Sequence, residues 1–452
     1  MTKKLLFLIA FLPSILLAQH SIKGTFTPSE EYNFVILYKV TPSTSMYVNN
    51  AEIQKDGSFE FKLDSLVPKG IYRVVYALPQ EDHNFDVIYN TKEDVVLDFN
   101  PNLGVTFKES KENILLDSYY KSIQEVSKSI SAYYKSPEKN EQQFKEAIHA
   151  LNQTQNEFEK AAKGTIASHF IKASKPYIPT NVEDAETFTK NLKSNYFKNI
   201  DFSNNTLQSS AFLIDTVLNY IYTYVDQKDT ANSYQQNIDD VILAFGENLE
   251  IKEIILKVLW NEFAQPNTES IANYITDNYL LEIVKAKNNQ ELLEKIQVFK
   301  NISLGELAPN FTFKTDINDK KSTVSLHDYN EAKQNVIVFW SSTCSHCLKE
   351  LPLFHKYIKT LNKGTLKVIA VALEDDFYKW RDRTYDFSEF VHVYGEGKWS
   401  NPIGDAYGVT ATPTYFILDA NKNIIAKPDD FPALEEYYIA NPIPTEISIE
   451  ED

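Results

Sequence analysis

Cys344 and Cys347 are the only cysteines in 452 residues, and they stand two residues apart in Cys344-Ser345-His346-Cys347. Two thiols at that spacing can work as a unit, passing two electrons to or from a disulfide by exchange. The segment before them, 335–340 (NVIVFW), is a short β-branched apolar run that reads as a buried strand. After them Leu348, Leu351, Phe354, Ile358 and Leu361 recur at three- and four-residue steps, so 348–361 reads as a helix. The pair therefore sits where a strand hands over to a helix N-terminus, whose unpaired N–H groups and macrodipole favour thiolate over thiol. Cys344 is expected to be the exposed, acidic nucleophile. Cys347, one turn into the helix, is expected to be the shielded sulfur that resolves a mixed disulfide.

A CxxC pair also occurs in zinc sites, but a structural zinc site takes four protein ligands. There is no second cysteine pair, and the other histidines, at 20, 83, 149, 169, 327, 355 and 392, show no spacing that completes such a site. No metal is expected, and no cofactor other than a redox-active Cys344–Cys347 disulfide. A Cu(I)-handling role is the rival chemistry for two soft thiolates. The scarcity of methionine, Met1 and Met46 alone, argues against a methionine-rich copper path.

Residues 304–438 carry several further motifs in order: 305–311 (GELAPNF), the Phe339-Trp340 strand end, the CxxC, Pro352 inside the following helix, and 407–419 (YGVTATPTYFILD). Together these resemble the thioredoxin superfamily and, within it, the periplasmic reductase-like TlpA and ResA branch. The resemblance implies an α/β thioredoxin-like fold, a cis Thr412–Pro413 bond facing the disulfide, and Thr412 backbone pairing with a bound client chain. It also places Trp340 beneath the active-site turn, grouped with Thr412 and Pro413 at the substrate-binding site. Thioredoxins hold a buried carboxylate six residues before the first cysteine, where this chain has Val338. Glu374, Asp375 and Asp376, after the LKVIAVAL run, are the nearest candidates in sequence for the missing proton acceptor. His346 stands where thioredoxins have proline, and a histidine beside a helix N-terminal thiolate can stabilise its charge and tune the potential. The direction of electron flow stays open between a reductase and an oxidase or isomerase.

The remainder of the chain decides context. Residues 1–18 carry Lys3 and Lys4, an apolar run and Ala18, the pattern of a cleaved secretory signal peptide, so an exported, periplasmic protein that does not stably span the membrane is expected. With 62 acidic against 45 basic residues the formal charge is −17, which excludes nucleic acid and anionic membrane surfaces as expected partners. Client proteins with thiols or disulfides, and a redox partner, are the expected contacts. Residues 19–106 read as an all-β sandwich, with alternating strands at 21–26, 34–40, 59–63, 71–77, 85–89 and 95–99 and a turn at Asp56-Gly57. Residues 107–300 read as a helical domain of five to eight helices, broken at Pro176, Pro179, Asn204-Asn205 and Pro266-Asn267. The redox domain then runs from 301 to 439, and 440–452 reads as an acidic tail. In a rival reading the first two-thirds form an interaction surface and the CxxC only senses redox state.

Overall fold

The computed structural model describes residues 20–42, 44–317 and 320–443, so the expected signal peptide and all but the first residues of the tail lie outside the described residues. The chain divides into two compact units, Met1–Ile255 and Leu256–Asp452.

The first unit opens with eight strands: β1 (Ser21–Phe26), β2 (Phe34–Val40), β3 (Ser45–Glu52), β4 (Ser58–Lys62), β5 (Gly70–Val75), β6 (Asn84–Tyr89), β7 (Val95–Asn100) and β8 (Gly104–Glu109). They form two four-stranded sheets, ordered β4-β1-β7-β8 and β3-β2-β5-β6. Alternation along each strand aims apolar side chains into one shared core, with Ile22 and Leu97 from one sheet meeting Leu37 and Val74 from the other. This is the expected sandwich. The helices that follow are α1 (Lys111–Lys135), α2 (Glu141–Ala161), α3 (Ala167–Ala173), α4 (Ala185–Ser194), α5 (Asn205–Gln208), α6 (Phe212–Thr223) and α7 (Thr230–Ala244). Buried polar groups fasten α1 at its start. The Asn113 amide pairs with the N–H and carbonyl of Ile88 at 2.8 and 2.7 Å, and Glu112 accepts the Ile166 and Ala167 N–H groups at 2.7 and 3.2 Å. Such groups are tolerated in a core because their hydrogen bonds are made.

Helix α8 (Leu249–Phe263) spans the division, so the expected helical stretch 107–300 is shared between the two units. The second unit continues with α9 (Glu269–Ile275), a π turn (Thr276–Leu280), α10 (Leu281–Ala286) and α11 (Gln290–Asn301). Eleven α segments thus replace the expected five to eight. The excess comes from short pieces such as α3 and α5, and from the π turn, which splits one apolar run into α9 and α10.

The C-terminal portion comprises β9 (Thr312–Ile317), β10 (Lys320–Ser325), β11 (Gln334–Trp340), α12 (Cys347–Ile358), β12 (Leu366–Glu374), α13 (Phe377–Thr384), β13 (Val391–Glu396), α14 (Pro402–Ala406), β14 (Thr414–Leu418), β15 (Ile424–Ala426) and α15 (Phe431–Ala440). Its main sheet is ordered β13-β12-β11-β14-β15, with β12 and β13 parallel to β11 and β14 antiparallel to it. The period-two rule divides β11 between two cores. Val336, Val338 and Trp340 pack on α12 and α15, while Ile337 and Phe339 pack on Phe311, Tyr407 and Phe416. The 305–311 segment lies along β15, through Gly305 N–H to Ile424 carbonyl at 2.8 Å and Ala308 N–H to Lys422 carbonyl at 3.0 Å.

Candidate active site

The carboxyl ends of parallel β11, β12 and β13 and the start of antiparallel β14 meet at one end of the sheet, so the loops after residues 340, 374 and 396 and the loop before 414 converge there. Central strand β11 delivers the chain to a tight turn, closed by the Cys344 N–H donating to the Ser341 carbonyl at 3.1 Å. His346 is the N-cap of α12, and its carbonyl accepts the Lys349 and Glu350 N–H groups, both at 3.0 Å. The Cys347 N–H is among the first of the helix and has no partner one turn back; it donates to the Cys344 sulfur at 3.2 Å.

The two thiols are both free and occupy different environments. Cys344 is partly exposed. Burial works to raise its thiol, but hydrogen bonding from the Cys347 thiol and N–H, then from Thr412 and the His346 backbone, outweighs burial and holds it below the ordinary thiol range. Cys347 is fully enclosed among Val338, Trp340, Leu351 and Tyr415. Its thiol is pushed up to about 12, by burial first and then by its hydrogen bond to Cys344.

The Cys344 thiol also donates to the Thr412 carbonyl at 3.3 Å, and the Thr412–Pro413 bond is cis. Four expected site residues, Cys344, Cys347, Thr412 and Pro413, are therefore together. His346 is exposed, and its side chain makes no hydrogen bond among the described residues. Trp340 corrects an expectation. It does lie under the turn, in the core that holds Cys347, but its ring is wholly buried, edge-on to Phe387 at 5.9 Å, and offers a client no surface.

The three carboxylates at the end of β12, Glu374, Asp375 and Asp376, separate by role. Asp376 caps α13 by accepting the Tyr378 and Lys379 N–H groups, each at 3.1 Å, and Asp375 pairs with Lys398 at 3.1 Å. Glu374 is only 1% exposed and accepts the N–H of Ser342, two residues before Cys344. It braces the active-site turn. A fourth carboxylate escaped sequence reasoning: Glu350 accepts the Tyr415 hydroxyl at 3.0 Å and the Phe431 N–H at 2.9 Å. Tyr415 packs in the Cys347 core, and burial first, then the Glu350 charge, raises its hydroxyl. The three-residue step from Cys347 to Glu350 puts both on one helix face, a signal that spacing alone offered.

Residues 304–427 match the AhpC/TSA family. Over 129 residues the chain is 30% identical to the thiol-disulfide oxidoreductase ResA of Bacillus thuringiensis subsp. konkukian (strain 97-27), covering 28% of this chain and 69% of that protein. The chain belongs to the ResA family of thiol-disulfide oxidoreductases. ResA of Bacillus anthracis is 31% identical over 133 residues, again covering 28% of this chain and 69% of the relative. Among solved structures, a thioredoxin-like protein from Bacteroides caccae ATCC 43185 is 19% identical, with a TM-score of 0.39, over 59% of this chain and 97% of that one. A domain of a possible thiol-disulfide isomerase from Cytophaga hutchinsonii ATCC 33406 is 28% identical, with a TM-score of 0.26, over 30% of this chain and 92% of that one. The AhpC/TSA match, residues 304–427, takes in the CxxC, the cis-proline loop and the sheet between them. Among the described residues no helix is long and apolar enough to cross a membrane, and no cluster of three or more His, Cys, Asp or Glu side chains is placed to hold a metal ion.

Proposed function

We propose that this protein exchanges a Cys344–Cys347 dithiol or disulfide with client proteins outside the cytosol. The observation that carries the reading is the opposition of the two thiols at one helix start: Cys344 held low and reachable, Cys347 buried and pushed up to about 12. In the reducing direction the Cys344 thiolate attacks a client disulfide, forming a Cys344–client disulfide and releasing one client thiolate. Cys347 then loses its proton and attacks the Cys344 sulfur, releasing the second client thiol and leaving both protein sulfurs oxidised. A high Cys347 pKa suits this order, because the resolving sulfur stays protonated until a client is bound. With Val338 in place of a core carboxylate, Glu350, which is hydrogen-bonded to the Tyr415 that packs in the Cys347 core, is the candidate proton acceptor. Export is supported by the apolar run after Lys3 and Lys4. His346, exposed at the start of α12, would tune the potential.

The test is equilibration of the full chain in defined thiol buffers, with free thiols counted by maleimide mass shift. A two-electron transition near about −270 mV gives a reductase, and one near about −120 to −180 mV an oxidase or isomerase. If Cys344 and Cys347 never interconvert as a pair, or if Cys344→Ser leaves exchange intact, the reading fails.

A further inference from the structure

Helix α11 packs beside the loop that leads into Thr412–Pro413. Gly408 has φ +60°, and a Cβ there would stand 3.1 Å from the Val298 side chain, so helix and loop approach closely at that point. Beyond the contact they enclose a groove of about 870 Å³, walled by Val298, Ile302, Val409, Thr410 and Trp399. Trp399 is 55% exposed, an uncommon state for so large an apolar ring. It follows β13, whose carboxyl end lies with those of β11 and β12, so the groove opens at the end of the sheet that carries Cys344.

We propose that this groove selects clients by taking an apolar side chain two residues from the client's reacting cysteine. The proposal rests on the reading of Cys344 and Cys347 as a client-facing pair. Its geometry follows from the loop. Thr410 is part of the groove wall, and Thr412 is the residue whose carbonyl touches the Cys344 thiol at 3.3 Å. Two residues of chain span at most about 7 Å, so wall and sulfur are neighbours. A client whose cysteine is engaged at Cys344 and whose extended backbone follows this loop turns every second side chain to the same side. The residue two positions from its cysteine then faces the groove, and the adjacent residues face away. Glu294, Asp405 and Lys295 also border the groove, so its lining carries a net negative charge and an acidic side chain at that client position meets net repulsion.

The test uses the full reduced chain and disulfide-linked homodimers of short peptides, each peptide holding one cysteine. One dimer and the protein dithiol yield two peptide thiols and the Cys344–Cys347 disulfide, so atoms and electrons balance, and the two peptide sulfurs are equivalent. Peptides carry Leu, Ser or Asp at one position, placed one or two residues to either side of the cysteine, and second-order rates are compared within one protein. With Leu two residues away on one side, reduction is expected to run on the order of tenfold faster than with Ser, the discrimination an apolar pocket gives a single side chain, and Asp is expected to be slower still. Val298→Trp, which fills the groove, and Trp399→Ala, which removes a wall, should each bring the Leu-to-Ser ratio towards one. Because the ratio is internal to each protein, a general loss of thiol reactivity does not imitate this result. Equal Leu and Ser rates in the unmodified chain, a preference found only at the adjacent positions, or a ratio unchanged in both variants overturns the groove and leaves the exchange reading standing. Failure of the reduced chain to reduce any peptide dimer, together with failure of the oxidised chain to oxidise any of the peptide thiols, overturns both.

Discussion

Alkylation of the reduced protein measures the ionisation difference between the two thiols directly. With its thiol pushed up to about 12, Cys347 at pH 7 is thiolate in roughly one molecule in 10⁵. An ordinary thiol at that pH is already a few per cent thiolate, and Cys344 lies below the ordinary range, so it exceeds that fraction. Since only the thiolate reacts, the ratio of labelling rates should be at least about 10³, before the burial of Cys347 widens it further. Raising the pH from 6 to 11 should separate the two again: Cys344 labelling levels off once it is ionised, while Cys347 labelling keeps climbing about tenfold per unit. The assay is timed iodoacetamide labelling followed by peptide mass spectrometry of each cysteine, repeated with Cys344→Ser to read Cys347 alone. Burial is the first cause of the Cys347 shift, so its slow labelling should survive that substitution. Labelling of the two cysteines within tenfold of each other at pH 7 would refute the reasoning.

Three further outcomes follow from named contacts. Glu374→Ala leaves the buried Ser342 N–H without its acceptor and should cost about 1–3 kcal/mol while altering the Cys344 alkylation rate; Glu374→Gln, which keeps an acceptor, should recover at least half, and equal losses in the two variants would show that charge rather than hydrogen bonding matters. Phe354, on α12, is fully buried against the Phe390 and Phe431 rings, so Phe354→Ala should cost about 3–5 kcal/mol in a denaturant titration while leaving Cys344 the faster-labelled cysteine. Glu389 is lowered to about 2, by the Ser388 hydroxyl first and then by His355 and Lys359; because its folded pKa lies below the unfolded value, its contribution is present above about pH 4.5 and lost as pH falls towards 2. The melting-temperature advantage of the natural chain over Glu389→Gln should accordingly narrow between pH 6 and pH 2.5, and a constant gap would contradict the assignment.

Legibility in the sequence tracked burial. Strands β1, β2 and β7 alternate apolar residues and were readable to within a residue, as was β11, whose side chains are buried on both faces. Strands β3 and β8 were missed or seen only as a fragment, since each is the edge of its sheet and shows mostly exposed or half-buried side chains such as Asn49, Asn50 and Lys108. At the site, the cysteines and Thr412–Pro413 were legible because spacing and order specify them. Glu350 and Glu374 were not separable from solvated carboxylates, because their distinction lies in partners 65 and 32 residues away. Trp340 was placed correctly along the chain, yet only the packing of α13 and its following turn shows that no edge of the ring is left for a client.

The close seating of α9 and α11 also bears on where the redox portion can be excised. Lys427, just after β15, pairs with buried Glu269 on α9, whose other carboxylate oxygen accepts the Leu304 N–H at 2.8 Å. Val298 and Ile302 meanwhile rest on Gly408. A fragment cut at residue 301 would follow the family boundary but strand an ammonium without its counterion and bare an apolar seam beside the loop that touches Cys344. The compact unit that holds these partners begins at Leu256, inside α8, and a recombinant redox domain that keeps α8 whole should be the more soluble and the more faithful in its chemistry. Some 45 residues that bear no motif thus belong to the enzyme rather than to a tether.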